Sequence, residues 1–362
     1  MAEATKDQVL KVLDQVQEPD LHKGIVSLGF VKDVAICGGA VSFTIELTTP
    51  ACPVRGQLES EAKALVSKIP GVEQVSVKMT SNVPSGRAPV GNVLAGVRNT
   101  IAVASGKGGV GKSTVAANLA LALAQSGARA GLMDCDIYGP SVPTMFGISR
   151  QPQISADKKV MPLEAHGIKL MSMGFLATPD SPVIWRGPMV HGILQQFLTV
   201  VAWGELDYLV LDLPPGTGDA QLTLTQTAPL SGAVIVTTPQ DVSLIDARKG
   251  LKMFEQVRVP VLGIVENMSG FACPHCGKAT DIFKRGGGAR TAQELGVPFL
   301  GEIPIDAEVV TAGDCGVPIV AKNPNSPAAR AFLTMAEAVA ARLSTVTLQG
   351  AGAGKNLDLQ WK

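Results

Sequence analysis

Residues 105–114 read SGKGGVGKST and follow directly on the apolar run Ile101, Ala102, Val103 and Ala104. Against the pattern of a glycine, four free positions, a second glycine, a lysine and a hydroxyl residue, Gly106, Gly111, Lys112 and Ser113 fall into register. Such a loop binds phosphate because its glycines let the backbone turn tightly and aim several N–H groups at one anion. The N-terminus of the helix that follows adds a partial positive charge. The reading assigns Gly106, Gly108, Gly109, Val110, Gly111, Lys112, Ser113 and Thr114 to a nucleotide, with Lys112 on the outer phosphates and Ser113 on a magnesium ion. Lys107, just inside the first glycine, is an addition to the common form of the loop.

Outward from this loop, short apolar runs at 130–133, 209–213, 233–237, 261–265 and 299–303 alternate with helical stretches. Strands without polar alternation are buried on both faces, so the pattern predicts an α/β domain over 100–345 with a mostly parallel sheet flanked by helices. Ligands on such sheets bind at the carboxyl ends of the strands, and the distinctive residues fall there. DYLVLDLPPGTGD ends an apolar strand in Asp212, placed to hold magnesium directly or through water, with Gly216 as the glycine that senses the terminal phosphate. MDCDIYGPS carries Asp134 and Asp136, and Asp134 serves equally well as a turn cap. Between them, Cys135 reads as a small strand-end residue. Residues 151–175 read as a β-hairpin insertion, Asp241 as the cap of a helix whose side chains simply pack, and 325–343 as an alanine-rich helix. His166 and His191 lack metal-like spacing and are taken as non-functional.

Upstream, residues 1–80 predict a compact α/β unit: an amphipathic helix over 5–16, strands at 25–34 and 41–47 joined through Gly38 and Gly39, a helix after Pro53, and a closing strand at 72–77. Residues 81–99 are rich in Gly, Pro, Ser and Asn and read as a linker, with Val90, Val93, Leu94 and Val97 docking its latter half on the next domain. Residues 346–362 read as a flexible tail. Cys37 reads as structural.

Lys plus Arg and Asp plus Glu are both 31, a formal charge of zero, which argues against a broad basic face for nucleic acid. The opening MAEATKDQVL is polar and acidic, no apolar run reaches membrane-spanning length, and the tail lacks a basic amphipathic helix. These features predict a cytoplasmic chain with no membrane partner. The six cysteines lie far apart except for one pair, Cys273 and Cys276 in CPHCG. Two cysteines two residues apart can grip one metal, yet they are half of a four-thiolate site, and Cys315 is isolated. Symmetry would supply the missing half from a second copy. Spacing alone leaves structural zinc, a [4Fe-4S] cluster and a redox disulfide open.

With KGGVGKS, DCDIYGPS, DLPPGTGD, ENMS and CPHCG in one chain, the sequence resembles the Mrp/ApbC iron-sulfur carriers, a branch of the deviant Walker A ATPases, over almost its whole length. The resemblance implies an ATP-hydrolysing homodimer that holds a [4Fe-4S] cluster between subunits and delivers it to apo iron-sulfur proteins, working with cluster assembly factors. It implies that Lys107 reaches the partner's nucleotide, Asp136 orients the attacking water, Asn267 reads the adenine edge, and the EIPID segment, with Pro304, closes over the base. Arg186 would lie near phosphate or partner, an ordinary solvated arginine being the alternative. The first 80 residues, with EPDL, GIVSLGFVKDV and TTPACP, resemble the SufT/PaaD-like domain of iron-sulfur assembly factors. That likeness makes Cys52 a candidate thiolate at a helix start, against a small buried turn residue. A positioning or partition ATPase with structural zinc remains the alternative.

Overall fold

A computed structural model describes residues 4–86, 93–176, 187–216, 218–273 and 275–354. Two compact units divide the chain, Met1–Pro84 with Ser344–Lys362, and Ser85–Leu343.

In the first unit, helix Lys6–Leu13 starts at a capping box: the Gln8 N–H donates to the Thr5 hydroxyl, and the Thr5 N–H to the Gln8 carboxamide. Strand Ala40–Leu47 is central, antiparallel to Val31–Cys37 and parallel to Gln74–Ser81, the parallel crossover being helix Arg55–Val66. Val9, Leu13, Ile25, Val41, Phe43, Ile45, Leu58 and Val66 form the core. The first strand begins at Val31, not at Ile25, because the Leu28 and Phe30 N–H groups bond back to Gly24 and Ile25 and close turns there. Cys37 is exposed at the hairpin end.

The second unit carries an eight-stranded sheet in the order Phe299–Glu302, Val261–Glu266, Gly232–Thr237, Thr100–Ser105, Tyr208–Asp212, Ala130–Asp134, Ile168–Ser172 and Leu163–Ala165. All neighbours are parallel except the last pair, the expected hairpin, which extends the sheet at its edge. Every residue of Thr100–Ser105, Tyr208–Asp212 and Gly232–Thr237 is buried, as two-faced packing requires. Strand Thr100–Ser105 lies between Gly232–Thr237 and Tyr208–Asp212, so the chain leaves the sheet centre in both directions from there. That is a switch point where a crevice opens beyond the strand ends.

Within the expected linker, Leu94 is buried, Val93 and Val97 pack on the core, and Val97 bridges to Leu206, while Val90 lies outside the described residues. The last helix runs Pro327–Gly354, well past the expected end at Leu343, so part of the expected tail is helical. This helix is long and apolar enough to cross a membrane by length and composition. Ala328, Ala329, Phe332, Met335, Ala336, Val339, Ala340 and Leu343 are buried along it at the spacing of one face, the pattern of a core helix.

Candidate functional site

Strand Thr100–Ser105 delivers the glycine loop, and helix Lys112–Gln125 begins inside it at Gly111. Two glycines there have a steric reason. At Gly106 a Cβ would lie 2.2 Å from the Asp246 carbonyl oxygen, so helix Asp241–Gln256 closes on the loop only where no side chain exists. At Gly111, φ is +79° and a Cβ would lie 2.2 Å from Nδ2 of Asn267. Gly108, Gly109 and Val110 complete the turn, and the Val110 carbonyl accepts from Asn267 Nδ2 at 2.9 Å. Asn267 is thus fixed against the loop, at the end of its strand.

Lys112 is buried, its ammonium donating to Asp212 Oδ1 and lying 3.3 Å from the Ser113 hydroxyl. The other oxygen of this fully buried carboxylate, Oδ2, has no hydrogen-bond partner among the described residues. Burial pushes the Asp212 carboxyl up, and Lys112 and Ser113 pull it back. An orphaned carboxylate oxygen beside a serine hydroxyl is an oxygen donor set of the kind magnesium takes. Ser113 and Asp212 therefore fit the ion.

Asp134 is deeper. Its oxygens accept from the Asp136 N–H at 3.0 Å, the Ser172 hydroxyl at 3.0 Å and the Val142 N–H at 3.3 Å. Burial and the neighbouring Asp212 push its carboxyl up to about 7. It is the turn cap of the two readings, and it holds the loop that carries Asp136. That residue in turn accepts from the Tyr138 and Gly139 N–H groups at 3.2 and 3.1 Å. Cys135 is buried, which raises its thiol well above the ordinary value. Gly216, with φ +95°, donates its N–H to the Ser105 carbonyl at 3.1 Å, bringing the turn after Asp212 onto the glycine loop. Lys107 is half-buried, and its ammonium has no partner among the described residues. Beside Thr114, a cavity of about 360 Å³ opens between Asn118, Thr144, Met145, Val309 and Val310. Pro304 lies three residues before the helix Ala307–Asp314 that supplies Val309 and Val310.

Cys273 and Cys276 lie between the two strands of a small hairpin, Phe271–Ala272 paired with Ala279–Thr280. Gly277 N–H bonds the Cys273 carbonyl at 2.8 Å, and Cys273 N–H bonds the Lys278 carbonyl at 3.0 Å. The His275 and Cys276 N–H groups and the Cys276 thiol draw the Cys273 thiol below its ordinary value. N–H groups aimed at a sulfur favour its thiolate form over the thiol. Cys276 is exposed, and no cluster of three or more metal-ligating side chains exists among the described residues, so one chain offers two thiols.

Helix Asp241–Gln256 departs from plain packing. Ser243, Leu244, Ala247, Leu251 and Phe254 are buried, but Val242 and Ile245 are 64% and 55% exposed. Its N-cap is Gln240, and Asp241 instead pairs with Lys284 at 2.6 Å. Cys52 is half-buried before helix Arg55–Val66. His166 packs its ring against Phe146, consistent with a non-ligand role. Arg186 lies outside the described residues, as does the side chain of His191. Sequence reasoning passed over Glu266, a buried carboxylate closing the strand before Asn267. The rule that found Asp212, an acid at the end of an apolar strand, points to it as well.

A family model described as the NUBPL iron-transfer P-loop NTPase matches residues 96–340, and one described as an iron-sulfur cluster assembly protein matches residues 6–78. The iron-sulfur cluster carrier protein of Synechocystis sp. is 54% identical over 350 residues, covering 95% of this chain and 99% of that protein. The ADP-bound nucleotide-binding protein of Archaeoglobus fulgidus superposes with a TM-score of 0.56 at 44% identity, over 62% of this chain and 88% of that one. The Pyrococcus furiosus cell division ATPase MinD shares the fold at 22% identity, with a TM-score of 0.51 over 67% of this chain and 98% of that one.

Proposed function

The chain belongs to the iron-transfer P-loop NTPase family of iron-sulfur cluster carrier proteins, and from that premise we propose that it is a cytoplasmic, ATP-hydrolysing homodimer that holds a [4Fe-4S] cluster between its subunits and passes it to apo-proteins. The observation that carries the proposal is the Cys273 and Cys276 pair, half-buried and exposed respectively, with the Cys273 thiol drawn below its ordinary value, in the same unit as a complete phosphate loop. Two thiols are half of a four-cysteine cluster site, so the cargo requires a second copy. Val242 and Ile245, apolar and exposed on the helix against Gly106, supply surface for that copy to cover. Lys107, without a described partner in its own subunit, is free to reach across.

In the reaction, the loop N–H groups and Lys112 hold the phosphates, and Lys112 leaves Asp212 to do so. Ser113 and Asp212 would hold a magnesium ion, which would supply charge neutralisation to the phosphates. Asp136, on the loop pinned by Asp134, orients the attacking water. Lys107 of the partner stabilises charge on the transferring phosphoryl group. Asn267, held against the loop by Val110, reads the base edge. Recipients are apo iron-sulfur proteins, reached with cluster assembly factors.

Anaerobic reconstitution with iron and sulfide tests the assignment. Wild type should gain a thiolate-ligated cluster absorbance and Cys273→Ala should lose it. A wild-type complement of cluster in Cys273→Ala, or stoichiometric zinc and no sulfide in the purified dimer, overturns it.

A further inference from the structure

Residues 269–286, which carry Cys273 and Cys276, leave the fold and return to it at a single buried carboxylate. Glu266 accepts the Ser269 hydroxyl at the outgoing end of this excursion, and the Gly286 N–H at 2.8 Å together with the Gly288 N–H at the returning end. The adjacent strand doubles the closure: Glu302 lies 3.1 Å from the Ser269 hydroxyl and takes the Arg285 guanidinium in a two-point contact. Backbone bonds run in parallel, from Ile303 N–H to the Glu266 carbonyl, Ser269 N–H to the Ile303 carbonyl and Ile305 N–H to the Gly270 carbonyl.

One peptide from this carboxylate, Asn267 meets the nucleotide loop. Asn267 donates to the Val110 carbonyl and leaves no room for a side chain at Gly111, so a shift of the loop displaces Asn267 and with it Glu266. A buried carboxylate cannot give up its donors without a large desolvation cost, so its partners move with it. Two non-glycine residues flank the hairpin in the left-handed region, Met268 at φ +57° and Lys284 at φ +73°. Side chains there are strained, as at switch segments.

We infer that Glu266 is a positioning residue that couples the nucleotide loop to the CPHCG hairpin, so that nucleotide occupancy sets the exposure of the two thiols. The inference rests on the reading of residues 105–114 as the nucleotide site and of Cys273 and Cys276 as the cargo site, and it names the link between them. Ser269, Arg285 and Glu302 belong to the same device.

The test is the alkylation rate of Cys273 and Cys276 by iodoacetamide in the full chain without cluster, located by peptide mass mapping, with and without ADP and Mg2+. Light scattering on the same samples holds the oligomeric state to account. In wild type, ADP should change the rate at these two thiols by at least about fivefold, the low end of ordinary coupling between sites. Cys37 should be unaffected. In Glu266→Gln the ratio should fall to about one while ADP affinity stays within about threefold of wild type, a split that general destabilisation does not produce. Ser269→Ala, which removes one contact without leaving a buried charge, should reduce the ratio and keeps the test decisive if Glu266→Gln does not fold. An ADP effect absent in wild type, or undiminished in both variants, overturns the coupling. Failure of the carrier reading registers separately, as cluster retained by Cys273→Ala, because alkylation reads the thiols whatever they bind.

Discussion

Lys112 and Asp212 show how one residue pair serves two states. Without phosphate, the buried ammonium neutralises the buried carboxylate, and each would be costly alone. Removing one member of such a pair typically costs about 3–5 kcal/mol. Lys112→Ala should therefore lower the thermal midpoint of the nucleotide-free protein as well as abolish ATP binding by calorimetry. On the proposed trans role of its ammonium, Lys107→Ala should bind ATP nearly as wild type and lose turnover. Equal loss of affinity in both variants would remove the trans role. At Asp207, burial raises the carboxyl, but hydrogen bonds from Arg129 outweigh it and hold it below the ordinary value. Stability from this group is present above the unfolded value of about 4 and is lost as pH falls through the lower folded value. The stability gap between wild type and Asp207→Asn should thus be widest at neutral pH and shrink on acidification, as read from urea midpoints.

Whole elements set where those residues stand. Helix Asp241–Gln256 presses its Asp246 carbonyl into the space above Gly106, so Gly106→Ala sets a Cβ against rigid backbone and forces loop and helix apart. Nucleotide affinity should collapse while far-UV helicity persists. In the other unit, the capping box of Lys6–Leu13 is local, and Thr5→Ala should cost about 1 kcal/mol. Faster amide exchange over that helix with unchanged ATP turnover is the expected signature. The CPHCG hairpin was legible as a metal-type pair from two cysteines and a glycine. Its closure by Glu266 was not, because the donors come from residues up to 22 positions downstream. The start of the first strand at Val31 and the length of the last helix were misplaced for a related reason: apolar residues at 25–30 and small residues past 343 satisfy either state, and their surroundings decide.

At the scale of the molecule, the proposed carrier reading, with two neighbouring thiols per chain and a lysine without a partner among the described residues, calls for a second copy of the chain. Multi-angle light scattering should show the dimer mass with bound ATP. The reconstituted dimer should hold about one four-iron cluster per two chains. A full cluster on each chain would show that other ligands complete the site.

By itself the sequence determined the phosphate loop, the strand-end aspartate Asp212, the two-domain α/β plan and the cysteine pair. Each is written in contiguous residues, whose spacing carries the chemistry. Only the tertiary structure decided that Asp134 caps the turn carrying Asp136, that Asp212 keeps an oxygen without a partner among the described residues, that Val242 and Ile245 stand exposed, and that Glu266 closes the hairpin at both its ends. Those facts depend on which atoms meet across the sheet. Burial and hydrogen-bond closure between distant segments are properties of the packed chain, not of any stretch of it.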